Sequence, residues 1–265
     1  MRPVLALIVL ILAGCSAASI AAPIEPAVLT LFAAASLKDA FTELGQQFEM
    51  EHPGVAVVFN LAGSQQLAQQ LSAGAPADVF ASASQPPMDV VAQAGRVIDG
   101  TPRILARNKL AVIYPVDNPA GLVALKDLAQ PGLRLVLAAR EAPAGQYALA
   151  FLDKASGHPA FGSAFKAAVL ANVVSYEETV RVVFGKVALG EADAGIVYVS
   201  DISGDNAGKV GRIDIPDALN PIAIYLIAPI GDSPHPELAA AFIDLALSPR
   251  GQAVLARYGF IKASE

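Results

Sequence analysis

Residues 27–41 read Ala27-Val28-Leu29-Thr30-Leu31-Phe32-Ala33-Ala34-Ala35-Ser36-Leu37-Lys38-Asp39-Ala40-Phe41, and a change of period inside them decides the fold. Val28 to Ala33 is a short apolar run of the kind that forms a buried strand. Directly after it, Leu37, Phe41, Leu44 and Phe48 recur at helical spacing, and Ser36 with Asp39 three residues on forms a capping-box pattern that starts the helix at Ser36. His52-Pro53-Gly54 ends that helix, Val55 to Leu61 predicts a second strand, and Gly63-Ser64 leads into a second helix from Gln65 to Ser72. Asp78 to Ala81 and Pro87 to Ala94 repeat the unit. Strands alternating with helices across short turns imply right-handed βαβ units and a mostly parallel sheet.

Further along, Leu110 to Pro115 predicts a strand, Leu125 to Ala129 a weak helix and Arg134 to Ala138 another strand. Helices are expected from near Ala144-Gly145, from about Phe161, and from Tyr176 to Leu189 with Val180, Val183 and Val187 on one face. Ala194 to Val199 and Ile222 to Ala228 read as strands, and Pro236 to Leu247 and Pro249 to Tyr258 as closing helices. A single core rarely grows past about 250 residues, and chains approaching that size divide. The expected division is a first lobe of residues 27–108 plus 222–265, with a second lobe of residues 109–221 inserted into it.

Composition sets the class. The 265 residues are 54% hydrophobic and 16% charged, which excludes a disordered chain. A formal net charge of -6 argues against nonspecific affinity for nucleic acid or anionic membranes, which reward basic patches. At the N-terminus, Arg2 precedes an apolar run from Val4 to Ala13, too short to span a bilayer and followed by small residues, so residues 1–14 are expected to be an export signal. Leu12-Ala13-Gly14-Cys15 resembles the bacterial lipobox, in which the Cys is lipidated. The alternative is cleavage near Ser19-Ile20-Ala21, with Cys15 lost with the signal. Cys15 is the one Cys in the chain, so no internal disulfide forms, and residues 15–26 read as a tether.

Most catalytic chemistries lack their residues. His52, His158 and His235 lie in Pro-containing turns far apart in sequence and offer neither a triad nor zinc-ligand spacing. Gly204 to Lys209 is one residue short of a phosphate loop and continues with Val210 where Ser or Thr would hold magnesium. Asp201, Ser203 and Asp205 alternate as in a calcium loop without the closing Glu. Glu177-Glu178 are carboxylates at an expected helix start, where they complement the macrodipole. What recurs is a small or hydroxyl residue at a helix start: Ser36, Ser64, Ala144-Gly145 and Thr179-Val180. Each alone is a cap. Several such starts converging on one cleft make an anion site without Lys or Arg, because free N–H groups and helix dipoles supply the positive potential.

Five segments in order, Ala33-Ala34-Ala35-Ser36-Leu37, Gly74-Ala75-Pro76-Ala77-Asp78-Val79-Phe80, Pro143-Ala144-Gly145-Gln146-Tyr147-Ala148, Gly195-Ile196-Val197-Tyr198 and Arg257-Tyr258-Gly259-Phe260, are similar to those of the periplasmic molybdate-binding proteins of ABC importers. The resemblance runs from Val28 to Ile261. It implies a type II periplasmic-binding-protein fold, two α/β lobes joined by two crossing hinge segments, with a tetrahedral oxyanion held between them. It implies hydroxyl and backbone N–H donors from Ser36 and Ser64, backbone N–H donors from Ala144 and Val180, and the phenol of Tyr198; Val180 stands eighteen residues before Tyr198, as in the family. The chain departs from the family at Gly63, where some members have Ser, at Asn220, where Tyr is common, and in a longer stretch around Ser156 to Gly162.

The resemblance also implies an exported, periplasmic, monomeric carrier of molybdate and tungstate. It would be no enzyme and need no cofactor, and it would deliver to an ABC permease and its ATPase subunits, touching the membrane only through a lipid at Cys15. Molybdate is a tetrahedral dianion with acceptors only, and an all-donor shell satisfies it. Hydrogen phosphate carries a proton that such a shell leaves unpaired, at roughly 1 to 3 kcal/mol. Sulfate lacks that proton and is rejected only by size. Three rivals remain: a carrier of sulfate or another oxyanion, an enzyme using Ser36 or Ser64 as nucleophile, and a ligand-free sensor lipoprotein.

Overall fold

The computed structural model describes residues 27–264. The expected signal, Cys15 and the whole of the tether lie outside these residues. The first sheet opens as the sequence predicts. Strand β1 (Ala27–Ala34) runs into a 3-10 turn (Ala35–Leu37) and helix α1 (Lys38–Glu51), followed by β2 (Val55–Ala62), α2 (Ser64–Ser72), β3 (Val79–Ser82) and α3 (Gln85–Gln93). Strands β4 (Arg103–Asn108) and β5 (Leu110–Pro115) are nearly continuous in sequence but belong to different sheets. The second sheet grows through β6 (Leu135–Ala138), α4 (Pro143–Ser156), α5 (Phe165–Ala171), β7 (Val173–Glu177), α6 (Val180–Ala188), β8 (Ala194–Tyr198) and β9 (Val210–Asp214). The chain then returns to the first sheet with β10 (Ala223–Pro229), α7 (Pro236–Leu247), α8 (Pro249–Arg257) and β11 (Ile261–Lys262).

The strand orders are β11-β4-β10-β3-β1-β2 and β7-β6-β8-β5-β9. Each sheet is mixed. β1 is parallel to β2 and β3, but β10 is antiparallel to β3 and β4; β6 is parallel to β7 and β8, but β5 is antiparallel to β8 and β9. The expectation of mostly parallel sheets is thereby corrected. The βαβ units are parallel as read, while β10 in the first sheet and β5 in the second run against their neighbours, which makes each sheet mixed.

Three other expectations need correction. The segment from Tyr176 to Leu189 is not one helix: Val173 to Glu177 pairs with β6, and the helix begins at Val180 behind Thr179, whose Oγ1 accepts from Val182 N. Glu177 and Glu178 therefore precede the helix; Glu177 instead pairs with Lys186, Oε1 to Nζ 2.5 Å. Ser36 makes no capping bond, and α1 begins two residues later. Strands β4, β7 and β9 carry no apolar run in sequence that announces them.

The crossing segments are clipped to each other. Buried Asn220 accepts from Leu110 N at 3.0 Å and donates to Leu110 O at 2.8 Å, copying a strand-like bond pair from a side chain. The residue that departs from the family thus has a structural task between the two connections.

Candidate functional site

Where α2, α4, α6 and the 3-10 turn before α1 begin, a cleft forms between the two sheets' ends. Its lining includes Ser36, Ser64, Ala144, Val180 and Tyr198, all five residues expected from sequence, together with Gly63 and Thr179. About 260 Å³ of it is unfilled by protein atoms, counting the part open to solvent, which leaves room for a small ligand only.

Each donor is placed by local structure. Ser64 opens α2 after extended Gly63, and its Oγ accepts from Ala83 N at 3.0 Å. Ser36 lies in the 3-10 turn, and its Oγ is 2.8 Å from the Tyr225 hydroxyl. Ala144 is the second residue of α4, behind Pro143, and the first bond of that helix runs from Gln146 N to Ala142 O, so the Ala144 N–H precedes the helical ladder. Val180 is the first residue of α6 and stands in the same relation to its helix. The start of α4 is pressed against the preceding loop: a Cβ on Gly145 would stand 2.0 Å from Ala139 O.

Tyr198 ends β8 with its ring 1% exposed, and among the described residues its hydroxyl has no hydrogen-bond partner. Burial pushes its pKa well above the ordinary phenol value, with the neighbouring Tyr225, Tyr147 and Asp201 adding to the effect. The group is therefore a neutral donor. A buried, unpaired O–H costs about 1 to 3 kcal/mol, and one that faces a cleft has a ligand as its natural acceptor.

The one charged side chain on the lining belongs to exposed Glu178, held at the rim by Gln66 Nε2 at 2.8 Å, with Gln65 Nε2 on the Glu178 carbonyl at 3.2 Å. Among the described residues no Lys, Arg or His lines the cleft, and His52, His158 and His235 lie elsewhere. The positive potential comes instead from helix starts, each equivalent to roughly half a charge. Behind this shell Arg181 Nη2 reaches Asp39 Oδ2 at 2.8 Å, and Arg181 Nε lies 3.2 Å from Asp201 Oδ1 without hydrogen-bond alignment. Asp201 is fully buried and its Oδ2 accepts from Tyr198 N at 3.0 Å, fixing the strand end that carries the phenol.

The sequence profile of the bacterial extracellular solute-binding proteins matches residues 29–261. The chain belongs to that family. Among solute-binding proteins, the molybdate-binding protein ModA of Mycobacterium tuberculosis is 39% identical over 234 residues, 88% of this chain and 84% of that one. The ModA of Escherichia coli is 32% identical over 242 residues, 88% of each chain. The periplasmic molybdate-binding protein of Azotobacter vinelandii superposes with a TM-score of 0.75 at 22% identity, covering 88% of this chain and 98% of that one, which supports the two-lobe fold. The solute-binding fold places its cleft between lobes, where all five expected residues meet.

Sequence reasoning missed the layer behind the cleft: Tyr225, the Ala83 N–H, Arg181 and Asp201. A Tyr in a strand that reads as buried was a usable signal, since its hydroxyl must find a partner.

Proposed function

We propose that this solute-binding protein captures a tetrahedral oxyanion free of protons, molybdate or tungstate, and delivers it to an ABC permease driven by its ATPase subunits. The observation that carries the reading is the buried Tyr198 hydroxyl, unpaired among the described residues, in a cleft lined by helix starts and by no cation of those residues. Ser36 and Ser64 supply hydroxyls and N–H groups, Ala144 and Val180 supply N–H groups, and Tyr198 supplies its phenol, all donors to an acceptor-only dianion. The names of the ModA relatives support molybdate as the cargo. Lobe closure excludes water, which strengthens each dipolar contact. The protein binds and releases without turnover, and no cofactor takes part.

The lobes are residues 27–108 with 222–265, and 109–221. The protein works as a periplasmic monomer, exported by residues 1–14 and tethered through residues 15–26 from a lipid on Cys15.

Thermal unfolding with molybdate, tungstate, sulfate, phosphate and nitrate tests this. A ligand at a thousand times its Kd adds about 4 kcal/mol, raising the Tm of a chain this size by roughly 8 to 16 °C. The expected rise occurs with molybdate and tungstate and is lost in the Ser36→Ala, Ser64→Ala double variant. An equal rise with sulfate moves the assignment to a sulfate carrier, and no rise with any anion overturns the site.

A further inference from the structure

Serine hydroxyls are ambivalent: each has one proton to give and lone pairs to receive, so a Ser facing a cleft does not by itself discriminate between proton-free and protonated anions. In this protein both serines are biased toward donation from behind, because one lone pair of each is already occupied. The Ser64 oxygen already accepts from Ala83 N, leaving its proton for the cleft. For Ser36 the direction follows from accounting at Tyr225. Tyr225 is fully buried, and Ser36 Oγ at 2.8 Å is the acceptor that its hydroxyl reaches among the described residues. The nearby Asn108 amide is engaged elsewhere: its Nδ2 donates to Ser200 Oγ at 2.8 Å and its Oδ1 accepts from Lys109 N at 2.9 Å. Were Tyr225 to accept from Ser36, its own proton would be buried with no other acceptor in hydrogen-bond geometry among the described residues, which proteins avoid. Tyr225 therefore donates, Ser36 accepts, and the Ser36 proton is turned toward the cleft.

Tyr225 has no freedom to do otherwise. Its ring packs edge-on against Tyr198 at 5.7 Å and against Phe260 at 5.2 Å, and the register of β10 against β4 shifts between Tyr225 and Leu226, beside the ring's own attachment point. Burial holds its phenol far above the ordinary pKa, so it remains a donor at every pH the protein meets.

We propose that Tyr225 is a specificity-determining positioning residue: by donating to Ser36 Oγ it locks Ser36 as a donor, so that the cleft takes proton-free tetrahedral anions and rejects those carrying a proton. The inference rests on the oxyanion-capture reading above. Tyr225 does not touch the anion in this scheme; it acts through Ser36.

The test uses selenate and arsenate, tetrahedral anions of nearly equal size that differ in the proton arsenate carries at neutral pH. Calorimetric titration of the wild-type protein is expected to favour selenate over hydrogen arsenate by about tenfold or more, the cost of one unpaired buried proton. Y225F keeps the ring and frees Ser36 to accept, so selenate and molybdate weaken while hydrogen arsenate holds or strengthens, and the preference falls by about tenfold. In the Ser36→Ala background, Y225F changes neither anion further. If Y225F weakens both anions by the same factor, Tyr225 merely supports the fold and the proposal is overturned. If the wild type shows no preference for selenate, the proposal is overturned whether or not the variant folds. If the wild type binds molybdate but Y225F leaves the ratio unchanged, only this inference fails; if the wild type binds no oxyanion, the capture reading fails with it.

Discussion

Arg181 of α6 and Asp39 of α1 form an ion pair, Nη2 to Oδ2 2.8 Å, between a helix that packs on the second sheet and one that packs on the first. Arg181 directly follows Val180, which lines the cleft, and Asp39 stands three residues after Ser36, so the pair links the two sides of the cleft just behind two lining residues. Both side chains keep partial contact with solvent, 19% and 30%, which limits the pair to about 0.5 to 1 kcal/mol. Asp39→Asn is therefore expected to leave the ligand-free protein's stability nearly unchanged and to weaken anion binding about threefold, mainly through a faster off-rate. Stopped-flow and calorimetric measurements at low and high salt check it; a loss that salt does not diminish would contradict the electrostatic origin.

Asp201 provides a pH signature. Its carboxyl is raised to about 6, first by burial, with Arg181 and the Tyr198 N–H opposing. A folded pKa above the unfolded value means that the native state holds the extra proton between about pH 4 and 6, so this group's contribution to stability falls as pH rises through that window, by on the order of 3 kcal/mol. Asp193, held low by its bonds to Arg134 against the cost of burial, tilts the opposite way. The quantity to read is thus the difference between wild type and Asp201→Asn in urea unfolding. That difference should shift in favour of the variant from pH 4 to 6; parallel curves would refute the assignment.

Tyr198→Phe separates stability from binding. Removing the unpaired hydroxyl relieves a buried donor, so the anion-free variant is expected to be about 1 to 3 kcal/mol more stable. The same change deletes a bond to a charged ligand and is expected to weaken molybdate about tenfold or more. Tm with and without molybdate reads both, and a variant destabilised in the absence of anion would show that the hydroxyl has a protein partner.

Gly145 and Gly185 form a matched pair. A Cβ at Gly145 would meet Ala139 O at 2.0 Å and Ala138 O at 2.6 Å, both backbone, whereas one at Gly185 meets nothing within 4 Å. Gly145→Ala is expected to cost about 3 kcal/mol and to abolish anion binding by displacing the start of α4. Gly185→Ala, inside α6, is expected to stabilise by about 0.5 to 1 kcal/mol and leave binding intact. Unfolding and titration of both variants decide the matter; equal behaviour would mean that α4 is free to shift.

The sequence carried the alternation of strands and helices well because each unit is local: Val28 to Ala33 and the Leu37-Phe41-Leu44-Phe48 stripe need no distant partner to be recognised. It misplaced Ser36 for the same reason. The capping box is a local pattern, and what claims the Ser36 hydroxyl is Tyr225, 189 residues away. Val173 to Glu177 suits a strand or a helix equally on composition, and only pairing with β6 settles it. Ala144 and Val180 entered through resemblance and spacing, since neither side chain advertises a donor. Tyr225 and Asp201 lie one layer deeper, where only three-dimensional neighbours reveal a task.

Two of the helix starts on the cleft bring Ala144 and Val180 to its lining, and the main-chain N–H groups of both precede their helical ladders. A peptide N–H is common to nineteen of the twenty residue types, so for the chemistry of these positions the genetic code is almost silent: every codon change other than one to proline leaves the donor in place. What the fold constrains there is the shape of a buried methyl or isopropyl group, not the N–H on the cleft. On the proposed reading, substitutions at these two positions leave the hydrogen bonds to an anion in place, and the side chains whose identity matters are Ser36, Ser64, Tyr198 and Tyr225, with Gly145, which lets α4 begin where it does.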